Sequence, residues 1–180
     1  NDLTVSNVLT FTSGTIVTGS AKLHLTATAT ISQSSGYVNG VVRRYVPTGT
    51  VSAFLFPVGT ATIYSPVSIS FAGSVTGTGY LEAAATVPNA APASASGLSQ
   101  TNYLNRAWTL LNSGVTGFTS FGIAFTFGAG DVQGSASTAS FVTRKWSSST
   151  WLAATQDSAL STSNGTSGWT AFGDFYIGEK

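Results

Sequence analysis

Residues 119–130, TSFGIAFTFGAG, alternate with a period of two. Phe121, Ile123, Phe125 and Phe127 fall on one side, and Gly122, Ala124 and Thr126 on the other. Successive side chains of an extended strand point to opposite faces, so this spacing predicts a strand with one buried face and disfavours a helix. The same signature returns along the chain. YSPVSISFAG sets Val67, Ile69 and Phe71 against serines, and GYLEAAATV groups Leu81, Ala83, Ala85 and Val87. AKLHLTATATI groups Leu23, Leu25, Ala27, Ala29 and Ile31, with Lys22, His24, Thr26, Thr28 and Thr30 opposite.

Composition agrees with an all-β chain. Charged residues make up 7 %, against about 25 % in an ordinary domain. The polar fraction is instead 27 Thr, 26 Ser and 20 Gly, residues that favour strands and turns. We therefore expect a single all-β domain over residues 1–180, an antiparallel, jelly-roll-like β-sandwich. Residues 1–46 form a part with shorter strands, which suits either rungs of a small β-solenoid or consecutive sandwich strands. Residues 50–180 supply the sandwich strands. SFVTRKW and WLAAT read as a hairpin about a four-residue SSST loop. Residues 87–102, VPNAAPASASGLSQTN, lack periodicity and read as a long surface loop with room for one helical turn.

A net charge of +1 with no basic run gives no footprint for nucleic acid. No apolar run is long enough to span a membrane. With no cysteine there are no disulfides or thiolate metal sites. The absence of methionine, together with a hydroxyl-rich, charge-poor surface, leads us to expect export with a signal segment already removed, and an extracellular or cell-surface location.

In so uncharged a chain the adjacent pair in YVNGVVRRYV, residues 37–46, needs a reason. On a strand Val38, Val42, Arg44 and Val46 share one face, and Tyr37, Val41, Arg43 and Tyr45 the other. An inward guanidinium requires a partner, because an unpaired buried charge is costly. We expect Arg44 to be the inward arginine, received in bidentate fashion by Asp174, which sits in FGDFY, or by Glu82.

YVNGVVRRYV, FLFPVG, YSPVSISF, RAWTLLNSG and GDFYIGE together resemble a recurrent module of large secreted surface proteins of Bacteroidetes and related phyla, over roughly residues 3–179. The resemblance implies a β-sandwich in adhesin-like proteins, generally without enzymatic activity and exported by a type IX route that reads a further C-terminal sorting domain. It also aligns Arg44 rather than Arg43 with a recurring arginine.

Candidate sites are few. One histidine and no cysteine leave little for nucleophile–base chemistry, and His24 lies on a polar strand face. Six acids scattered over the chain show no spacing that pairs two carboxylates. Asp131 in GAGDVQGS reads as a turn aspartate, one acid being too few for calcium. No catalytic, metal or cofactor site is therefore expected. Trp169, Trp146 and Trp151 are candidate sugar platforms. Trp146 and Trp151 also suit a cross-strand pair, and Trp108 reads as core. Asn164 heads an Asn-Gly-Thr sequon, and Ser158 sits in Asp-Ser-Ala, which resembles a bacterial O-glycosylation site. Thr26, Thr28 and Thr30 raise a one-strand ice-binding array.

These readings converge on a non-enzymatic, secreted structural protein, either a subunit of an extracellular filament or sheath or an adhesin-type surface module. Its partners would be copies of itself or neighbouring modules, joined through strand edges or through a donated N-terminal strand bearing Leu3, Val5, Val8, Leu9 and Phe11. The alternative is a carbohydrate-binding module using exposed aromatics.

Overall fold

The structure is a computed structural model that describes residues 1–88 and 91–180. Among these residues it is all-β, with no helix of seven or more residues. The strands are β1 (Leu3–Val5), β2 (Val8–Phe11), β3 (Thr15–Leu25), β4 (Thr30–Gln33), β5 (Tyr37–Val46), β6 (Phe54–Phe56), β7 (Val58–Gly59) and β8 (Val67–Ala72). They continue as β9 (Gly79–Thr86), β10 (Tyr103–Ser113), β11 (Ser120–Thr126), β12 (Val142–Ser147), β13 (Thr150–Ala153), β14 (Gln156–Ala159), β15 (Ser163–Trp169) and β16 (Gly173–Gly178). Within residues 87–102 there is one short 3-10 turn, Ser94–Ser96; residues 89 and 90 of that stretch lie outside the described residues.

A nine-stranded sheet runs β1-β3-β5-β9-β10-β16-β12-β13, with β7 also paired to β5. A five-stranded sheet, β14-β15-β11-β8-β6, faces it, and β2 and β4 form a separate pair. Aromatic contacts join the two large sheets. Trp108 of β10 lies 4.6 Å from Phe125 of β11, and Phe175 of β16 contacts both Phe125 and Trp169. The alternation read from the sequence holds at this core. Phe121, Ile123 and Phe125 are buried, as are Val67 and Ile69, Leu81 and Ala83, and Leu104, Trp108 and Leu110.

The sheets are not antiparallel throughout. β1, β3, β5 and β7 stack in parallel, as do β2 and β4. Leu3 aligns with Leu23 and Leu23 with Val42, so each rung is about twenty residues long, the scale of a solenoid repeat. Residues 3–46 are thus solenoid-like, and residues from β8 onward form the antiparallel sandwich. AKLHLTATATI is not one strand. TIV and AKLHL merge into β3, the chain turns at residues 26–29, and β4 returns on the opposite layer. Thr26 and Thr28 sit in that turn, their hydroxyls 3.4 Å apart, so no flat threonine array forms.

Glycine is required at one point of the stack. Between Val17 and Lys22 the register of β3 against β5 shifts, and Gly40 opposite adopts φ +142°, a region closed to other residues. A Cβ there would meet the Thr18 hydroxyl, which accepts the Val41 N–H.

The β12–β13 hairpin closes on two residues rather than four. Ser148 and Ser149 have φ of 50° and 60°, the left-handed pair of a type I′ turn, and Trp146 opposes Trp151 across it. Serine tolerates this region poorly, whereas Asn-Gly suits it. The double change Ser148→Asn/Ser149→Gly should stabilise the protein by about 1 kcal/mol, read as a higher urea midpoint with an unchanged slope.

Candidate functional sites

The charged residues, few as they are, are nearly all engaged, and many of them serve the backbone. Each of the six acids accepts hydrogen bonds within the fold. Asp2 accepts from the Lys22 amide, Asp157 from the Thr143 amide and Asp174 from the Thr109 hydroxyl at 2.6 Å. Glu179 accepts from the Ser137 amide at 2.6 Å and from the Asn102 side chain at 2.9 Å. Glu82 receives Lys22 on both oxygens, at 2.7 and 2.8 Å, with Arg43 Nε at 3.7 Å. Asp131 pairs with Arg106.

The Arg106–Asp131 pair is the buried ion pair of the structure, with side chains 1 % and 3 % exposed. Arg106 Nη2 donates to Oδ1 and Nε to Oδ2, while Oδ2 also accepts the Gly128 amide. The aspartate does lie in a turn, but its work is to neutralise a core guanidinium. Arg106 was legible in principle. It precedes Trp108 and Leu110 at strand spacing, so the same alternation that marked Trp108 as core places Arg106 there too. Lys145 is a second hidden cation: it is 1 % exposed, its Nζ donates to the Ala171 carbonyl at 2.5 Å and lies 5.2 Å from the Trp169 ring, and burial lowers its pKa.

The two adjacent arginines divide as strand geometry demands, but not with the expected acids. Glu82 stands on β9 directly opposite Arg43, on the outer face of the large sheet. There Arg43 also covers Tyr80, at 4.3 Å, and His24 meets the same tyrosine edge-on at 4.9 Å. Asp174 is three strands from β5 in the sheet order and faces outward beside Thr109. Neither acid can reach Arg44. Its Nη1 donates instead to the Leu55 carbonyl, and its guanidinium packs over Phe54 at 5.2 Å and Phe56 at 6.0 Å. Burial lowers its pKa from the ordinary value.

Of the three tryptophans proposed as platforms, Trp169 is excluded. A register irregularity in β15, with Gly168 at φ +84°, resets the alternation and turns Trp169 inward, where it is 3 % exposed with its Nε1 bonded to Thr166. Trp146 and Trp151 remain on the outer side. With Tyr176, Pro88, Ala91, Pro92 and Ala93 they line a cleft of about 420 Å³. Trp146 lies 5.1 Å from Trp151, which meets Tyr176 edge-on at 5.2 Å.

Asn164 does not present a glycan acceptor either. It is fully buried, donating from Nδ2 to the Thr143 hydroxyl at 2.8 Å and to Asp157 at 3.4 Å, so an N-glycan has no access to it in the folded chain. Ser158 is exposed on β14, an edge strand of the five-stranded sheet. The N-terminal segment is not free to be donated. β1 pairs with β3 and β2 with β4, and Phe11 is buried. What stays open is the far edge of that rung, where Leu3 is 51 % and Val8 56 % exposed.

Comparison of the chain with family models, with curated proteins and with solved structures found no match.

Two predictions follow from the charges. Asp131→Ala strands the Arg106 cation in the core and should cost about 3–5 kcal/mol, whereas Arg106→Met/Asp131→Ala together should cost clearly less; chemical denaturation of the three variants measures both. Donation from Ser137 and Asn102 holds the Glu179 carboxyl below its ordinary pKa. Its folded-state pKa therefore lies below the unfolded one, so its stabilisation is present above the unfolded value and is lost as pH falls through the folded value. Glu179→Gln should remove this component, so the gap in melting temperature between the parent and the variant should shrink on acidification below about pH 4.5.

Proposed function

We propose that this chain is a non-enzymatic structural module of an extracellular filament, sheath or adhesin-type surface protein, assembling by edge-to-edge addition of β-strands at its solenoid-like end. The observation that carries this reading is the open outer edge of the first rung. β1 is the end strand of the large sheet, and β2 has no neighbour beyond β4. The strands of this rung carry exposed Leu3 and Val8, and neither strand has a lysine or proline of the kind that blunts sheet edges. A parallel stack can grow by adding another rung in the same register, giving the backbone groups of β1 and β2 partners and covering the apolar side chains. The hydroxyl-rich composition and small net charge leave little repulsion between copies. The chemistry of the six acids fits a structural role, since each is held by donors of the fold. An extracellular or surface setting, with export after removal of a signal, belongs to the same reading.

A second reading is favoured by the Trp146–Trp151–Tyr176 cleft. Its aromatic faces suit the apolar side of a sugar ring, which makes a neutral carbohydrate the alternative partner.

The discriminating experiment is sedimentation with negative-stain imaging of the parent chain and of Thr4→Lys/Thr10→Lys, two exposed edge positions. The parent should form polymers or concentration-dependent oligomers. The variant should stay monomeric with an unchanged circular dichroism spectrum. A parent that remains monomeric at all concentrations and binds neutral glycans through the aromatic cleft would replace the assembly reading with the second one.

A further inference from the structure

Arg44 is the residue whose surroundings exceed what the fold needs. Lys22, Arg43 and Arg106 have carboxylates, and Arg144 and Lys145 donate to loop carbonyls. Arg44 uses one nitrogen, Nη1, on the Leu55 carbonyl; among the described residues Nε and Nη2 have no acceptor, and no carboxylate approaches. It rises from β5 into a notch of about 280 Å³ between β4 and β6, lined by Ile31, Gln33, Arg44, Ala53, Phe54 and Leu55.

The walls of this notch are fixed. Phe54 and Phe56 hold the guanidinium plane, and the Leu55 carbonyl sets its rotation. The Gln33 amide is fixed at both ends, its Nε2 donating to the Gly36 carbonyl at 2.6 Å and its Oε1 accepting from the Tyr64 hydroxyl at 3.0 Å. A partly desolvated guanidinium with unused donors strongly favours a planar carboxylate, which it can grip with two parallel hydrogen bonds. The remaining volume is small and concave, with an aromatic ring and an amide beside the charge, a lining that suits one polar ring rather than an extended peptide.

We propose that the Arg44 notch is a binding site for a carboxylate-bearing monosaccharide unit, a hexuronate, with its carboxylate on the free edge of the guanidinium and its ring between Phe54 and Gln33. This site is separate from the rung edge and from the Trp146–Trp151 cleft, and its test does not depend on either.

The probes are sodium glucuronate, glucose and sodium acetate, titrated into the whole chain and followed by calorimetry and by amide chemical shifts. Glucuronate should bind saturably and perturb residues around Gln33, Arg44 and Leu55. Glucose should not bind, and acetate should bind at least about tenfold more weakly, because it lacks the ring. Arg44→Gln should weaken glucuronate at least about tenfold, the scale of a lost charge-assisted pair. Ala53→Phe fills the notch from an exposed position while keeping Arg44, so it should abolish binding with an unchanged melting temperature. It guards against Arg44→Gln failing to fold. Absence of saturable glucuronate binding, equal affinity for acetate, or undiminished binding by Ala53→Phe would each overturn the proposal.

Discussion

Strand β5 is hydrogen-bonded to a parallel neighbour, β3, on one side and to an antiparallel neighbour, β9, on the other. Everything else in the molecule is arranged around that double pairing. Parallel strands need a crossover between them, and here the crossover is the opposite layer of a solenoid turn, β2 or β4. Antiparallel strands can be joined by a simple reversal, and from β9 onward every pairing in the large sheet is antiparallel. β5 belongs to both regimes. Its inner valines, Val38, Val42 and Val46, are fully buried and join the solenoid core to the sandwich core in one continuous cluster. Its two arginines mark the same junction from opposite sides. Arg43 ties the outer face to β9 through Glu82, and Arg44 occupies the gap where β4 ends and β6 begins.

In a chain with so few charges, nearly all of them act as local fasteners. Asp131 and Glu179 accept loop amides, Asp2 and Asp157 accept amides of β3 and β12, and Arg144 and Lys145 donate to loop carbonyls. An unmet buried backbone group costs more than a typical hydrogen bond contributes. Arg106 and Asp131 are the extreme case, an ion pair carried into the core beneath Trp108. Pairing of that kind contributes little net stability but penalises any packing that separates the two. Here it fixes the turn after β11 against β10.

The strand faces were legible in the sequence wherever the ladder is regular. Phe121, Ile123 and Phe125 lie as their spacing requires, and Arg44 faces inward as its valine neighbours imply. Regularity also marks where the reading stopped. The irregularity before Trp169 shifts the phase by one residue, so a tryptophan that looked available is core, while Asn164, ahead of the shift, is sealed in by the regular alternation it shares with Thr166. The turn at residues 26–29 broke a run that alternates without interruption on paper, because alternation alone does not say whether a strand continues or folds onto the next layer. The partners of the arginines were out of reach for a different reason. Strand order is set by long-range pairing, and nothing local places Glu82 beside Arg43 while keeping Asp174 three strands away. The missed residue, Arg106, carried a readable signal, since it stands two positions before Trp108 on the same strand face.

β16, residues 173–178, is an interior strand, flanked by β10 and β12, and it brings Phe175 and Ile177 to the centre of the core. A nascent chain that had emerged only as far as Phe172 would hold two half-sheets with facing vacant edges and a void between them. Native packing therefore cannot close progressively from the amino terminus. It waits on one late insertion, and until then the polypeptide stays loose enough to be threaded, handed on or degraded.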